Sequence, residues 1–79
     1  MSEGEETKST VNGTVEEVLP NSLFRVRIPA VEEGGEGELV LAYLAGKMRL
    51  HRIRVLMGDQ VEMVLDPYGG RARIVRRLT

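Results

Sequence analysis

Basic side chains are concentrated in two short stretches in the second half of the sequence. One stretch spans residues 47–54 and the other spans residues 71–77. A planar guanidinium group makes forked contacts with phosphates and base edges, so arginine-rich stretches are typical of surfaces that bind nucleic acid. A single arginine is more often a solvated surface residue, but this clustering favours a polyanion as the partner. The basic candidates are Lys47, Arg49, Arg52, Arg54, Arg71, Arg73, Arg76 and Arg77.

The other reactive residue types do not form a catalytic or metal-binding set. The sequence contains one histidine, His51, and no cysteine, which argues against a nucleophile–base pair and against a cysteine- or histidine-rich metal site. The glycines at 34–37 and 69–70 lack the spacing of a nucleotide-binding loop. We therefore expect no enzymatic activity, no metal and no cofactor, and we place His51 at the edge of the basic surface.

Charge is distributed unevenly along the chain, although its formal net value is only −1. Residues 1–45 carry three basic residues and nine carboxylates, a net of −6, whereas residues 46–79 carry eight and three, a net of +5. This asymmetry in one small domain predicts a basic face and an acidic face. The glycine- and glutamate-rich stretch 30–38 is predicted to be a flexible acidic loop. Because its negative charge would repel nucleic acid, we expect this edge of the domain to be free for a protein partner.

The length of 79 residues allows one small domain, which buries only about 60–65% of the surface of its unfolded chain. Residues 1–10 contain no apolar side chain after Met1, so we expect a flexible tail followed by a domain over residues 11–79. No segment reaches the roughly 20 apolar residues of a membrane span, and the first residues lack the order of a signal peptide. The expected location is the cytoplasm.

Hydrophobic alternation and turn residues predict five short strands. The clearest alternation lies at 23–28, and the last strand is predicted to place Arg71, Arg73 and Arg77 on its outer face. The predicted strands are Val11–Leu19, Leu23–Ile28, Leu39–Leu44, Gln60–Leu65 and Arg71–Leu78.

A short helical turn is predicted between the third and fourth strands. Met48, Leu50 and Ile53 recur at roughly helical spacing and are expected to hold this turn against the domain. Five strands with one helical element in this position match the OB-fold, an all-β Greek-key barrel. An SH3-like barrel is the nearest alternative, and the position of the helical element favours the OB-fold.

Aromatic residues are few, and they bear on the kind of nucleic acid that would bind. Phe24 is expected in the core and Tyr68 is expected to anchor a loop, which leaves Tyr43 as a stacking ring. Proteins that bind flexible single strands present several such rings, so the sequence favours docking on a preformed RNA surface. Met48 is more often a core residue in such a position, but it is retained as a candidate wedge beside a base.

Three stretches resemble bacterial translation initiation factor one. They are GTVEEVLPNSLFRVRI at 13–28, LAYLAGKMRLHRIRVLMGD at 41–59 and DPYGGRARIVRR at 66–77. Together they cover nearly the whole domain, and the order of the G-K-M-R, I-R-V-L-x-G-D and R-I-V elements is specific.

The resemblance implies a non-catalytic factor that binds the A site of the small (30S) ribosomal subunit through 16S ribosomal RNA. It also implies support for initiation factors two and three in forming the initiation complex, and we expect a monomer. The RNA-facing basic motif of the family corresponds to Lys47, Arg49 and Arg54, and its terminal basic strand to Arg73 and Arg77. A free-standing RNA chaperone and a protein-interaction module remain alternatives. The full set of candidate RNA contacts is Tyr43, Lys47, Met48, Arg49, His51, Arg52, Arg54, Arg71, Arg73, Arg76 and Arg77.

Overall fold

The computed structural model describes residues 10–30 and 34–79, and the five strands of this part of the chain form a closed barrel. The order around the barrel is β1-β2-β3-β5-β4, with one short helix, α1, between β3 and β4. This arrangement confirms the predicted OB-fold. The elements are β1 (Thr10–Leu19), β2 (Leu23–Ile28), β3 (Glu38–Leu44), α1 (Gly46–Leu50), β4 (Gln60–Val64) and β5 (Ala72–Arg77).

Two sequence predictions concern residues that lie wholly or partly outside the ranges 10–30 and 34–79. The predicted flexible tail lies outside the described residues, except for Thr10, which begins β1. Residues 31–33 of the predicted acidic loop also lie outside them.

The interior of the barrel is filled by alternate strand residues, as the hydrophobic pattern predicts. Successive side chains of a strand point to opposite faces, so every second residue can enter the core while its neighbours meet solvent. Because the domain is small, these few buried apolar side chains supply most of its hydrophobic stabilisation. The buried residues are Val15, Phe24, Val26, Ala42, Met48, Val55, Val61, Met63, Ala72 and Ile74.

The first strand closes the barrel because it pairs on both sides. Its first half pairs with β4 and its second half with β2, with a register shift between Val15 and Glu17 on the β2 side. The turn before β4 then continues the ladder: Gly58 N–H donates to the Val15 carbonyl oxygen at 2.8 Å, and Val15 N–H donates to the Asp59 carbonyl oxygen at 2.9 Å. The turn before β4 is therefore fixed to β1.

The helix is held to the barrel by one side chain. Met48 is 1% exposed, whereas Leu50 is 76% exposed and Ile53 is 37% exposed. The prediction that all three apolar residues hold the turn is therefore wrong for Leu50, because a helix of five residues turns only one of its two apolar side chains fully inward. Ile53 lies beyond the end of α1 and is only partly covered. Within the described ranges, no helix has the length and apolar character needed to cross a membrane.

The last strand contains an extra residue that reverses its alternation. Glu62 and Met63 are consecutive in β4, but they pair with Arg76 and Ile74, which are two residues apart in β5. Val75 therefore has no counterpart on β4. A bulge of this kind moves every later side chain to the opposite parity. Arg77 is therefore not on the same parity as Arg73, and the prediction that the two share one outer face of β5 is wrong for Arg77.

Gly13 lies where β1 crosses close to the core, and this position has no room for a side chain. A Cβ atom there would lie 2.6 Å from Val26 Cγ1 and 2.9 Å from the Arg27 carbonyl oxygen. We expect Gly13→Ala to lower the free energy of unfolding by about 1–3 kcal/mol, measured by urea denaturation. The control is Gly46→Ala, where a Cβ atom meets nothing within 4 Å and stability should be equal or slightly higher. Equal stability of Gly13→Ala and the unsubstituted protein would contradict this packing.

Candidate nucleic-acid interface

Two strands that are distant in the sequence lie side by side in the barrel. β3 and β5 are parallel neighbours over only three residues each, Ala42–Leu44 and Ala72–Ile74. The main-chain N–H of Ala45 donates to the carbonyl oxygen of Ile74 at 2.8 Å, which extends the contact to the start of α1. The two basic stretches of the sequence therefore lie on neighbouring elements.

A shallow depression lies beside the first part of β5. Tyr43 and Arg73 are paired across the two strands, and both line the depression together with Arg71, Asp66 and Pro67. The Nε atom of Arg73 is buried and has no hydrogen-bond partner among the described residues. A buried donor without an acceptor raises the free energy of the protein, and nothing in the described ranges holds the Arg73 guanidinium group through this atom.

A second depression lies at the other end of β5, where α1 packs against the strand. Its basic lining consists of Lys47, Arg76 and Arg77. The guanidinium group of Arg77 donates to the carbonyl oxygen of Arg54 at 2.9 Å and to the main-chain oxygen of Thr79 at 2.6 Å. Arg77 therefore fixes the loop after α1 to the end of β5. We call the aromatic and basic residues of the two depressions the β5 surface: Tyr43, Lys47, Arg71, Arg73, Arg76 and Arg77.

The other predicted contacts lie next to this surface without joining it. Arg49, His51 and Arg52 are exposed on α1 and on the turn that follows it. In the described ranges, no side-chain hydrogen bond or ion pair connects them to the β5 surface. Arg54 is exposed and contacts the surface through its carbonyl oxygen. These four residues form an exposed basic group beside the β5 surface.

The arginines of β2 are neutralised by carboxylates of β1. Arg25 Nη1 lies 2.8 Å from Glu17 Oε1, and Arg27 Nε lies 2.9 Å from Glu16 Oε2. The hydrogen bond from Arg27 lowers the pKa of the Glu16 carboxyl group below its ordinary value, and the same bond raises the pKa of Arg27. This side of the barrel presents charges that already have partners.

The basic residues of the second half of the chain have fewer and more distant carboxylate partners than the arginines of β2. Arg76 Nε lies 3.5 Å from Glu62 Oε1, and Arg77 Nε lies 3.9 Å from Asp59 Oδ2. In the part of the chain that the structure describes, no carboxylate oxygen lies within 4.0 Å of the other basic side chains. A surface with cations of this kind attracts a polyanion. These uncompensated residues are Lys47, Arg49, Arg52, Arg54, Arg71 and Arg73.

Two predictions about single residues need correction. Met48 is wrong as a candidate RNA contact, because it is 1% exposed and belongs to the core. Tyr68 is wrong as a loop anchor, because its side chain is 93% exposed. The signal for Tyr68 was in the sequence: an aromatic residue inside the turn sequence Asp66–Gly70 has no inward face to enter.

A closed OB-fold barrel with an incompletely compensated basic surface is typical of OB-fold proteins that bind nucleic acid. The family described as Translation initiation factor 1A / IF-1 matches the chain over residues 2–79. The chain therefore belongs to the translation initiation factor 1A / IF-1 family, and its role is that of a translation initiation factor. This confirms the resemblance found in the sequence.

Two solved structures illustrate the likeness. The solution structure of translation initiation factor one from the Wolbachia endosymbiont strain TRS of Brugia malayi is 30% identical, with a TM-score of 0.71. That match covers 99% of this chain and 86% of the other. The crystal structure of YjeQ from Thermotoga maritima is 27% identical, with a TM-score of 0.69. It covers 90% of this chain, which spans only 23% of the length of YjeQ.

The contrast between Met48 and Met57 tests which methionine supports the fold near the interface. Met48 is 1% exposed and Met57 is 66% exposed. We expect Met48→Ala to lower the free energy of unfolding by about 2–5 kcal/mol, because it leaves a cavity under α1. Met57→Ala should change it by less than about 0.5 kcal/mol. Urea denaturation of both variants measures the difference, and equal stability would show that Met48 does not hold the helix.

Proposed function

We propose that this translation initiation factor binds the small (30S) ribosomal subunit at the A site, through phosphates of 16S ribosomal RNA. The observation that carries the proposal is the group of uncompensated cations on and beside the β5 surface, with no carboxylate within 4.0 Å in the described ranges. Each cation that contacts a phosphate releases counterions from the RNA, which favours binding. Membership of the family supports the ribosome as the source of that RNA.

The proposed contacts differ in whether a carboxylate already lies near the cationic side chain. Arg71 and Arg73 stand at the centre with Tyr43, because they line one depression and are uncompensated. Arg76 and Arg77 belong at the rim, because each already lies near a carboxylate and an exposed ion pair contributes little on its own. The remaining proposed contacts are Lys47, Arg49, His51, Arg52 and Arg54.

The distribution of aromatic rings supports docking on folded RNA. Phe24 is buried in the core, which leaves two exposed rings, Tyr43 at 39% on the β5 surface and Tyr68 at 93% on the β4–β5 loop. OB-fold proteins that coat flexible strands stack several bases on such rings. A free-standing RNA chaperone would therefore bind short unstructured RNA measurably, whereas the proposed factor needs the shape of the subunit.

The proposal extends to the partners in initiation. The factor acts without catalysis, as a monomer in the cytoplasm, and supports initiation factors two and three in forming the initiation complex. The family supports this role, and the β1–β2 side of the barrel, where Arg25 and Arg27 are paired with carboxylates, remains available to protein partners. A protein-interaction module would instead bind its partner without any need for the basic surface.

A pair of neutralising substitutions tests the proposal. If about four cations contact phosphates, the logarithm of the affinity for 30S subunits should fall with the logarithm of salt concentration at a slope of about −3. The double variant Arg49→Gln with Arg73→Gln should bind more weakly and show a slope of about −1.5. Co-sedimentation with purified 30S subunits at several salt concentrations measures both quantities.

The matched control removes the same amount of charge from the other side of the barrel. Arg25→Gln with Arg27→Gln should leave the slope unchanged, because both arginines already bind carboxylates of β1. Equal loss of affinity in the two double variants would mean that only total charge matters and would contradict the proposed interface. Unchanged binding in both would favour the protein-interaction module.

A further inference from the structure

Tyr68 is the most exposed large hydrophobic residue of the described ranges, at 93%. It lies at the tip of the loop between β4 and β5 and makes no side-chain hydrogen bond in the described part of the chain. Single exposed apolar residues are common on protein surfaces, so exposure alone does not indicate a site. Further evidence comes from the loop that carries the ring and from the charged residues that this loop borders.

The loop holds its backbone in one conformation through Asp66. The Oδ1 atom of Asp66 accepts a hydrogen bond from Tyr68 N–H, and the Oδ2 atom accepts one from Gly70 N–H, each at 3.0 Å. The Asp66 carbonyl oxygen accepts a third from Gly69 N–H, also at 3.0 Å, and Gly69 has a φ of 86°. Because the backbone is already ordered, binding a ligand at this loop costs little further backbone conformational entropy.

The loop that carries the ring borders cations that lack partners. Pro67, the residue directly before Tyr68, lines the same depression as Tyr43, Arg71 and Arg73. The one carboxylate of that depression, Asp66, uses both of its side-chain oxygens for the loop and lies more than 4.0 Å from the side-chain nitrogens of both arginines. An aromatic ring on a loop that borders guanidinium groups offers the two contacts that a nucleotide needs, one for its base and one for its phosphate.

We propose that Tyr68 stacks on an unpaired RNA base while Arg71 and Arg73 bind the adjoining phosphates. This site rests on the proposed function, because it takes its base from the RNA that the β5 surface contacts. Stacking requires an aromatic face but neither the hydroxyl group nor a charge. The effects of substitution at Tyr68 should therefore depend on the ring and not on salt.

Three substitutions at this position separate stacking from other contacts. Tyr68→Ala should weaken binding to purified 30S subunits about 5- to 140-fold, which is the usual range for one stacked base. Tyr68→Phe should bind within about twofold of the unsubstituted protein, and Tyr68→Leu should lose as much as Tyr68→Ala. The salt slope should stay unchanged in all three. Leu56→Ala is the control, because Leu56 is 54% exposed on a different loop.

Chemical probing of the RNA locates the base. A 16S ribosomal RNA base that dimethyl sulfate modifies less in the complex should regain its reactivity when Tyr68→Ala is bound at saturating concentration. Full affinity of Tyr68→Ala, or full affinity of Tyr68→Leu, would overturn the stacking site, and so would equal losses in Tyr68→Phe and Tyr68→Ala. Failure of the unsubstituted protein to bind subunits at all would instead overturn the proposed function, and this site with it.

Discussion

The parallel pairing of β3 with β5 is the constraint on which the surface of this protein depends. It involves three residues on each strand, and one further hydrogen bond from Ala45 to Ile74 carries it to the start of α1. This short contact joins two parts of the chain that are about thirty residues apart, and it closes the barrel on one side while β1 closes it on the other. Without it, the two basic stretches would belong to unrelated surfaces. The fold therefore assembles the basic surface as a direct result of closing its core.

Charge compensation then gives the barrel two different sides. On β1 and β2, arginines and glutamates face each other at 2.8–2.9 Å. Along β5 and α1, most cations have no carboxylate nearby in the described part of the chain. Exposed ion pairs contribute only about 0–1 kcal/mol each, so leaving these cations unpaired costs the fold little. A protein with a net charge of −1 can therefore present a strongly basic surface.

Much of the fold could be predicted from the sequence, because local pattern determines it. The alternation at Leu23–Ile28 gives both bounds of β2, and the strand–helix–strand order identifies the barrel. Single side chains were harder to place. The extra residue Val75 moves Arg77 to the opposite parity, and this depends on pairing with β4, which lies elsewhere in the sequence. The burial of Met48 and the exposure of Tyr68 likewise depend on how α1 and the β4–β5 loop sit on the barrel.

The most direct test of this account is a cryo-electron microscopy structure of the protein bound to the 30S subunit. In that complex, 16S ribosomal RNA phosphates should lie within hydrogen-bond distance of Lys47, Arg71 and Arg73. Arg25 and Arg27 should remain paired to their carboxylates on the side facing away from the RNA. A complex in which β1 and β2 face the RNA, while Arg71 and Arg73 point into solvent, would contradict it.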